Sequence, residues 1–344
     1  MRDVLNGGGG RCPLPLVSVV VPAYNVAEYV RHCLQSLEDQ DYERLEIVVV
    51  DDGSTDGTGE IIEELAGASQ SRIRHSHQPN AGLSGARNSG LARCEGQLVV
   101  FVDGDDVVAP CFVSALVQAM LVTGADVASC GFQTLAPGAR PTWPSRASRV
   151  RVVGQPLALT DTMYDREPGA RAWAKMARRE LWAAHPFPDR LLYEDLAVVP
   201  GLIADANKVA VIPEALYGFA VRPGSITRMA VRSKNVLDLH QAVSMAMDAD
   251  PSGGRGRIGR SFRARELQEA CRVLRMVDSV GDRPDALARY RSWASRTVRS
   301  KAWRVAMDRR APLELKLRGL LALLPGPLYG LVWRAKKRAE GWHG

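Results

Sequence analysis

Long apolar runs are missing from this chain of 344 residues. No stretch reaches the ~20 consecutive apolar residues that a membrane-spanning helix needs. The first fifteen residues, MRDVLNGGGGRCPLP, contain no apolar segment of the kind that directs secretion. From these absences we expect a cytoplasmic protein.

Several metal and cofactor motifs are also missing. The six cysteines form no CxxC pair, which argues against a zinc site and favours reduced thiols. The chain has no P-loop and no HExxH motif, and its GGGG run at residues 7–10 does not follow a strand, which excludes a dinucleotide-binding fingerprint. The segment DGSTDGTGEIIE, which begins at Asp52, is similar to a calcium loop, but a Val-rich strand precedes it where an EF-hand needs a helix.

The composition is that of an ordinary globular protein, with 46% hydrophobic and 24% charged residues. The net charge of +7 is unevenly distributed: residues 251–344 carry 22 Lys and Arg against 8 Asp and Glu, a net +14, while the first 250 carry −7. A basic C-terminal region therefore follows an acidic N-terminal one. Such a region suits nucleic acid, an anionic membrane or simply a solvated helical surface.

The first hundred residues alternate between strand-like and helix-like patterns. Apolar runs at 16–25 and 45–54 end in turn residues, as buried parallel strands do. Apolar residues at helical spacing predict a helix between them, with Asn25 and Glu28 as a capping box. Further helices are expected over 57–67 and 88–94, with strands near 73–75 and 98–102. This alternation predicts an α/β fold with a mostly parallel sheet.

Polar clusters follow three of these strands: PAYN at 22–25, DDGSTDGT at 51–58 and DGDD at 103–106. Ligands bind at the carboxyl ends of the strands in such sheets, so the clusters should line one crevice. On an extended chain Asp103 and Asp105 point the same way, and two carboxylates ~4 Å apart repel by roughly 4 kcal/mol at an effective dielectric of 20. Mg²⁺ or Mn²⁺, which prefer oxygen ligands, would turn this repulsion into attraction.

In their order along residues 16–230, the motifs resemble family-2 glycosyltransferases, which are inverting enzymes with a GT-A fold, a Rossmann-like mixed sheet. The matching segments are VSVVVPAYNVAEYVRHCLQSLEDQ, EIVVVDDGSTDGT, NAGLSGARNSGL, FVDGDD and YEDL (193–196). The less specific segment LYGFAVRPGSIT (216–227) is similar to members that build bacterial capsule, cell wall or exopolysaccharide. The resemblance says little after residue 235.

The resemblance implies a role for each matching polar residue. Pro22, Ala23 and Tyr24 would border the nucleoside, Asp52 would hydrogen-bond its base, and Arg87 would lie near the nucleotide. Asp103 and Asp105 would bind the ribose and a Mn²⁺ or Mg²⁺ ion on the diphosphate, Asp106 would assist, and Asp195 would be the catalytic base. The alternatives are a turn residue for Asp52, a surface ion pair for Arg87 and a helix N-cap for Asp195.

The implied reaction moves one sugar from a nucleotide-sugar, typically a UDP-sugar, to a hydroxyl of a saccharide, lipid-linked or polymer acceptor. The QxxRW motif and transmembrane helices of polymerising members are absent, which favours a single transfer per encounter. A nucleotidyltransferase is an alternative, but PAYNVAEY lacks the Gly-rich basic loop expected after its first strand. A non-catalytic nucleotide-sugar or nucleic-acid binder is another. Nucleic acid is disfavoured because the chain lacks an RNA-binding motif and an acidic crevice without a metal ion repels phosphate.

Three regions are predicted: a flexible tail at 1–15, the GT-A domain at 16–232, and a basic, mostly helical region at 233–344 with a linker near 250–260. Within the last region, LRGLLALLPGPLYGLVWRAKKR (317–338) joins an apolar stretch to a basic cluster. This pattern indicates peripheral docking on the anionic inner face of a plasma membrane, with packing on the catalytic domain as the alternative.

Overall fold

A computed structural model describes residues 14–69, 72–144, 149–222, 232–280 and 284–324. The strands are β1 (Val17–Ala23), β2 (Leu45–Asp51), β3 (Ile73–His77), β4 (Leu98–Phe101), β5 (Val107–Val108), β6 (Val127–Leu135), β7 (Arg151–Gly154), β8 (Lys175–Arg178) and β9 (Lys208–Ala220). The helices are α1 (Ala27–Glu38), α2 (Thr58–Ala68), α3 (Gly82–Ala92), α4 (Phe112–Thr123), α5 (Gln155–Met163), α6 (Arg179–Ala183), α7 (Glu194–Asp205), α8 (Ser233–Asp248), α9 (Gly256–Ser279), α10 (Pro284–Ala306) and α11 (Leu313–Leu321).

The strands form one mixed sheet in the order β3-β2-β1-β4-β8-β6-β9-β5, with β7 pairing with β9. The first four strands of this order are parallel, β8 is antiparallel to both neighbours, and β6 and β9 are parallel. The register pairs Ala23 with Asp51, so β1 and β2 end at the same level. The predicted α/β fold is confirmed.

Both faces of the parallel strands are buried, which explains their nearly continuous runs of Val. Val19 and Val49 pack in one core with residues of α1 and α4, such as Leu34 and Leu116. Alternate residues face the other side of the sheet, where Phe101 packs with side chains of α5, α6 and α7. Buried apolar layers on the two faces therefore hold the strand ends in place.

The C-terminal helices pack on the part of the chain that carries the sheet. Leu191 and Leu196 share a core with Leu239 of α8 and Leu267 of α9. The linker predicted near 250–260 is shorter than expected, because α9 begins at Gly256. The Asp250 carboxylate accepts hydrogen bonds from the backbone N–H groups of Ser252 and Gly254, which closes a tight turn between α8 and α9.

Two predictions concern segments that are outside the described residues in whole or in part. The tail at 1–15 is described only from residue 14, and the amphipathic segment at 317–338 only as far as residue 324. Within the ranges that are described, no helix has the length and apolar content needed to cross a membrane.

Two helices begin where a side chain from another segment caps them. The predicted capping box at Asn25 is wrong: the backbone N–H of Val26 donates to Thr58 Oγ1 and that of Ala27 to an Asp56 oxygen. Helix α3 begins at Gly82 and not near residue 88, because the Asp52 carboxylate accepts the N–H groups of Ala81, just before the helix, and of Gly82, its first residue. Tertiary contacts thus replace the local cap signals.

Candidate active site

The three polar clusters meet at the carboxyl ends of β1, β2 and β4. The N–H of Asp52 donates to the carbonyl of Ala23 at 2.8 Å, and the N–H of Gly104 donates to that of Pro22 at 3.2 Å. A Cβ atom at residue 104 would lie 3.0 Å from the Pro22 carbonyl oxygen, so this close approach favours glycine. The structure therefore brings these clusters into one crevice.

The predicted nucleoside wall lies along one side of this crevice. Pro22 and Ala23 are buried at the end of β1, and Tyr24 is exposed. The buried Asp52 carboxylate accepts hydrogen bonds from Gln78 Nε2 at 2.7 Å and from the N–H groups of Ala81 and Gly82 at 2.9 and 2.8 Å. Asp52 thereby fixes the start of α3 against the end of β2, which is more than a turn residue would do.

Arg87 of α3 is the centre of the charged cluster. Its side chain is 1% exposed, so the alternative of a surface ion pair does not describe it. Its Nη1 donates to Glu194 Oε1 at 2.8 Å and to Asp195 Oδ1 at 2.7 Å, while Nη2 donates to Asp103 Oδ1 at 3.0 Å. One guanidinium thus joins the end of β4 to the first turn of α7.

The charges in this cluster shift one another's pKa values. Burial alone would lower the pKa of Arg87, but the nearby carboxylates of Asp195, Asp103 and Glu194 outweigh burial and raise it. Burial and the charge of Asp195 raise the pKa of Glu194 to about 7, against the opposing effect of Arg87. Burial, Asp105 and Asp195 also raise the pKa of Asp103. Burial therefore disfavours the ionised form of Glu194, while the ion pair with Arg87 favours it.

Asp105 lies on the other side of the strand end and contacts a residue that the motifs did not suggest. Arg222 donates from Nε to Asp105 Oδ2 at 2.5 Å, and its guanidinium lies 5.7 Å from the centre of the Tyr29 ring. Within the described ranges, no hydrogen bond engages Asp105 Oδ1 or Asp103 Oδ2. Each predicted metal ligand therefore keeps one oxygen available.

These two carboxylates fit a Mg²⁺ or Mn²⁺ ion that takes its other ligands from substrate. Among the residues with described positions, no group of three His, Cys, Asp or Glu side chains could hold a metal ion. A site built from one or two carboxylates, with diphosphate oxygens and water as the remaining ligands, is common for Mg²⁺. The two carboxylates are therefore chemically compatible with such an ion, provided that the remaining ligands come from outside the protein.

Asp106 bonds residues of β9. It is buried, accepts a hydrogen bond from the Tyr217 hydroxyl at 2.6 Å and accepts the N–H of Ala220 at 2.8 Å. The same hydroxyl accepts the N–H of Asp103 at 3.1 Å. Burial and the charges of Asp105 and Asp103 raise the pKa of Asp106 well above its usual range. In this structure Asp106 fastens β9 to the turn that carries Asp103 and Asp105.

Asp195 lies in the first turn of α7, where the structure does not use it as an N-cap. The residue before the helix is Tyr193, with a left-handed backbone at φ 65°, and no side chain caps the helix N-terminus. The carboxylate of Asp195 instead bonds Arg87 and is 22% exposed. It is therefore held in place by a cation and can still contact a bound molecule.

Lys175 of β8 has no motif around it and was missed by the sequence analysis. Its side chain is 1% exposed, and among the described residues no carboxylate lies within ion-pair distance of it, although the charges of Glu167 and Asp195 act on it from farther away. Burial and the charge of Arg171 lower its pKa to about 7, against the attraction of Glu167 and Asp195. A buried ammonium without a counter-ion is costly, and such groups concentrate at functional sites.

We expect Lys175→Met to stabilise the protein. Removing the buried charge should raise the free energy of unfolding at pH 7 by about 1–4 kcal/mol. The pKa of Lys175 is lowered from 10.5 to about 7 in the folded state, so between pH 7 and pH 10.5 the unfolded chain binds more protons than the folded protein. The free energy of unfolding of the wild type should therefore rise with pH across that range. Urea unfolding at pH 7 and pH 9 measures both effects.

The exposed Lys208 at the start of β9 provides the control, since Lys208→Met should change neither stability nor its pH dependence appreciably. A Lys175→Met protein that is less stable than wild type would contradict the idea that the buried charge of Lys175 destabilises the fold. So would a variant whose stability rises with pH between 7 and 9 as steeply as that of the wild type.

Solved structures of similar fold define the fold class. S. aureus TarS 1-349, in complex with UDP-GlcNAc, matches with a TM-score of 0.58 and 20% identity, over 86% of this chain and 93% of that chain. The mannosyltransferase PcManGT from Pyrobaculum calidifontis, in complex with GDP-Man and Mn²⁺, matches with a TM-score of 0.54 and 20% identity, over 82% and 84%. The fold is a GT-A fold.

Sequence comparison assigns the family. The family model for glycosyl transferase family 2 matches residues 18–182. The glycosyltransferase EpsJ of Bacillus subtilis is 33% identical over 232 residues, which are 66% of this chain and 67% of EpsJ. The chain belongs to glycosyl transferase family 2, as the motifs predicted.

Proposed function

We propose that this glycosyltransferase moves one sugar from a UDP-sugar to an acceptor hydroxyl, with inversion at the anomeric carbon and with Mn²⁺ or Mg²⁺. The observation that carries the proposal is the position of Arg87, which bonds both Asp103 of the DGDD turn and Asp195 of α7. The nucleotide side of the crevice and the proposed base thereby lie within the reach of one guanidinium. The UDP-GlcNAc bound by TarS supports the choice of donor.

In this proposal Asp195 acts as the general base. Its carboxylate takes the proton of the acceptor hydroxyl while the oxygen bonds to the anomeric carbon, and the bond from that carbon to the diphosphate breaks. Asp103 and Asp105 would hold the metal ion, whose charge stabilises the departing diphosphate. A single base on the face opposite the leaving group gives inversion.

The nucleoside would lie against Pro22, Ala23 and Tyr24, with Asp52 shaping the end of that wall. The acceptor would be a saccharide, a lipid-linked sugar or a polymer in cell-wall, capsule or exopolysaccharide synthesis on the inner side of the plasma membrane. Transfer would be non-processive. A nucleotidyltransferase would release diphosphate from a nucleoside triphosphate, and a non-catalytic binder would release nothing from a nucleotide-sugar.

Incubation with individual UDP- and GDP-sugars in the presence of Mn²⁺ tests these alternatives. We expect slow release of nucleoside diphosphate from one donor, accelerated when a lipid or oligosaccharide extract is added as acceptor. Proton NMR of the product then reports the anomeric configuration, and a retained configuration would refute the inverting mechanism.

Nucleotide binding is expected to require a divalent ion. Asp105→Ala, or EDTA treatment of the wild type, should weaken UDP binding on the order of 10- to 100-fold, because the diphosphate would lose the divalent cation that offsets its charge. Calorimetric titration of UDP with and without Mn²⁺ measures the effect.

The exposed Asp39 at the end of α1 gives a matched control, since Asp39→Ala removes a carboxylate far along the helix from the crevice. Equal affinity for UDP in the presence of EDTA and of Mn²⁺ would refute the expected requirement for a divalent ion.

A further inference from the structure

The end of α10 and the helix α11 expose an unusual concentration of large apolar side chains. Five of the twelve such side chains in the described residues lie between Trp303 and Leu324. Trp303 is 65% exposed and Met307 80% exposed, and Leu313 and Leu317 are more than half exposed. These four occur as two pairs, each four residues apart, so each pair shares one side of a helical turn.

The inner sides of both helices are already covered. Ala302 and Val305 of α10 and Leu315 of α11 are buried in the core that these helices share with α8 and α9. The exposed apolar side chains are therefore additional to the core, and intramolecular packing among the described residues does not explain them.

Exposed arginines accompany these side chains. On α10 the exposed positions Arg296, Arg299, Trp303 and Met307 follow one another at intervals of three or four residues, and the N–H of Met307 still donates to the carbonyl of Trp303 at 3.1 Å. Arg304, Arg309 and Arg310 are also exposed. We name these exposed side chains together the Arg–Trp face. It consists of Arg296, Arg299, Trp303, Arg304, Met307, Arg309, Arg310, Leu313 and Leu317.

Acidic side chains scarcely offset these charges. Asp308 is buried and accepts a hydrogen bond from Tyr164, and Glu314 pairs with Arg318. In the part of the chain whose structure is described, none of the five arginines of the Arg–Trp face forms an ion pair with a carboxylate. The face therefore combines exposed apolar side chains with uncompensated positive charge.

We propose that the Arg–Trp face docks on an anionic membrane surface. Trp prefers the headgroup level of a bilayer, where its ring contacts acyl chains, while arginines meet lipid phosphates. A second copy of this face would repel it by like charge. Nucleic acid would satisfy the arginines but offers little to Met307, Leu313 and Leu317. The proposal does not depend on the identity of the sugar donor.

Co-sedimentation of the full chain with vesicles tests the proposal. Vesicles of phosphatidylcholine mixed with phosphatidylglycerol should sediment the wild type, and pure phosphatidylcholine vesicles should not. Replacing Arg299, Arg304 and Arg309 together by Gln should lower the vesicle partition coefficient about fivefold for each arginine. Each basic residue near an anionic membrane surface strengthens binding by about that amount. Trp303→Ser with Met307→Ser should reduce binding to the mixed vesicles by at least about tenfold.

Matched controls exist for both variants. Leu121→Ser with Val122→Ser removes two comparably exposed apolar side chains of α4. Replacing Arg255, Arg257 and Arg260 by Gln removes three exposed arginines near the start of α9. Both controls should bind mixed vesicles like the wild type. All variants should keep the wild-type unfolding midpoint and nucleotide release in solution, which separates this test from that of the proposed reaction.

Three results would overturn the proposal. One is vesicle binding that the Arg–Trp face variants leave unchanged, and another is an equal loss of binding in the α4 and α9 controls. The third is an absence of wild-type binding to the mixed vesicles. Retention on single-stranded RNA that the arginine substitutions abolish would then assign the face to nucleic acid.

Discussion

Asp195→Asn is expected to give a folded protein that binds UDP with Mn²⁺ normally but transfers sugar on the order of 10²–10⁴-fold more slowly. The substitution preserves the size and shape of the side chain and removes its ability to take a proton. Arg87 keeps two of its three carboxylate partners, Asp103 and Glu194, so the cluster should stay assembled.

The position of Asp195 explains why the effect should fall on the transfer step. The carboxylate is fixed by Arg87 and remains partly exposed, whereas its neighbour Glu194 is buried and has a pKa raised to about 7. A buried carboxyl group has less access to an acceptor hydroxyl than a partly exposed one. Glu194→Gln should therefore slow transfer less than Asp195→Asn does.

Steady-state transfer rates and UDP calorimetry on the same preparations make the comparison. Asp205→Asn is the matched control, because it is the same substitution at the opposite end of α7. Near-normal turnover by a folded Asp195→Asn protein would eliminate Asp195 as the base and leave Glu194 as the next candidate.

Arg87→Met should be the most destabilising single substitution in the crevice. It would leave the carboxylates of Asp103, Glu194 and Asp195 close together without their shared cation, and breaking a buried ion pair in this way costs about 3–5 kcal/mol. Arg87→Lys should recover only part of the loss, because an ammonium lacks the planar fork that spans α7 and the DGDD turn.

Urea unfolding at several pH values measures this loss and identifies its cause. Unpaired buried carboxylates have raised pKa values, so the folded variant binds more protons than the unfolded chain, and its stability should fall as pH rises. The deficit relative to wild type should therefore be smaller at pH 5 than at pH 8. Arg178→Met, which breaks an exposed ion pair with Asp126, should have a much smaller effect. A pH-independent deficit for Arg87→Met would point to lost packing on Phe101 and Phe187 instead.

The arrangement of the parallel strands could be predicted from the sequence. Strands that are buried on both faces appear as unbroken runs of apolar residues. Val runs that stop at Pro22, Asp51 and Asp103 mark three strand ends, and the rule that such ends share one edge of the sheet places the crevice without further information. The roles of Asp103, Asp105 and Asp195 came from the order of motifs, and they remain predictions that the variants above address.

Contacts between distant segments could not be predicted in the same way. The motifs placed Arg87 beside the nucleotide, but they did not suggest that it bonds two carboxylates more than a hundred residues later in the chain. Lys175 lies outside the matching segments, and Arg222 lies in LYGFAVRPGSIT, where the resemblance assigned no site residue. Only the pairing of β4, β6 and β8 and the end of β9 bring them to the site. The misplaced start of α3 has the same origin, since its cap, Asp52, is a residue of another element.

Helix α7 has neighbours in both halves of the chain: its first turn carries Asp195 at the crevice, and Leu196 and Ala197 lie in the core shared with α8 and α9. A cut near residue 232 would expose that core, so a shortened catalytic fragment should aggregate. For the same reason, a chimaera between two family members cannot exchange α7 alone. Helix α7, which carries the proposed base, and helices α8 and α9, which pack against it, should therefore be exchanged together. We expect a change of acceptor preference to be reached most easily by replacing all three helices at once.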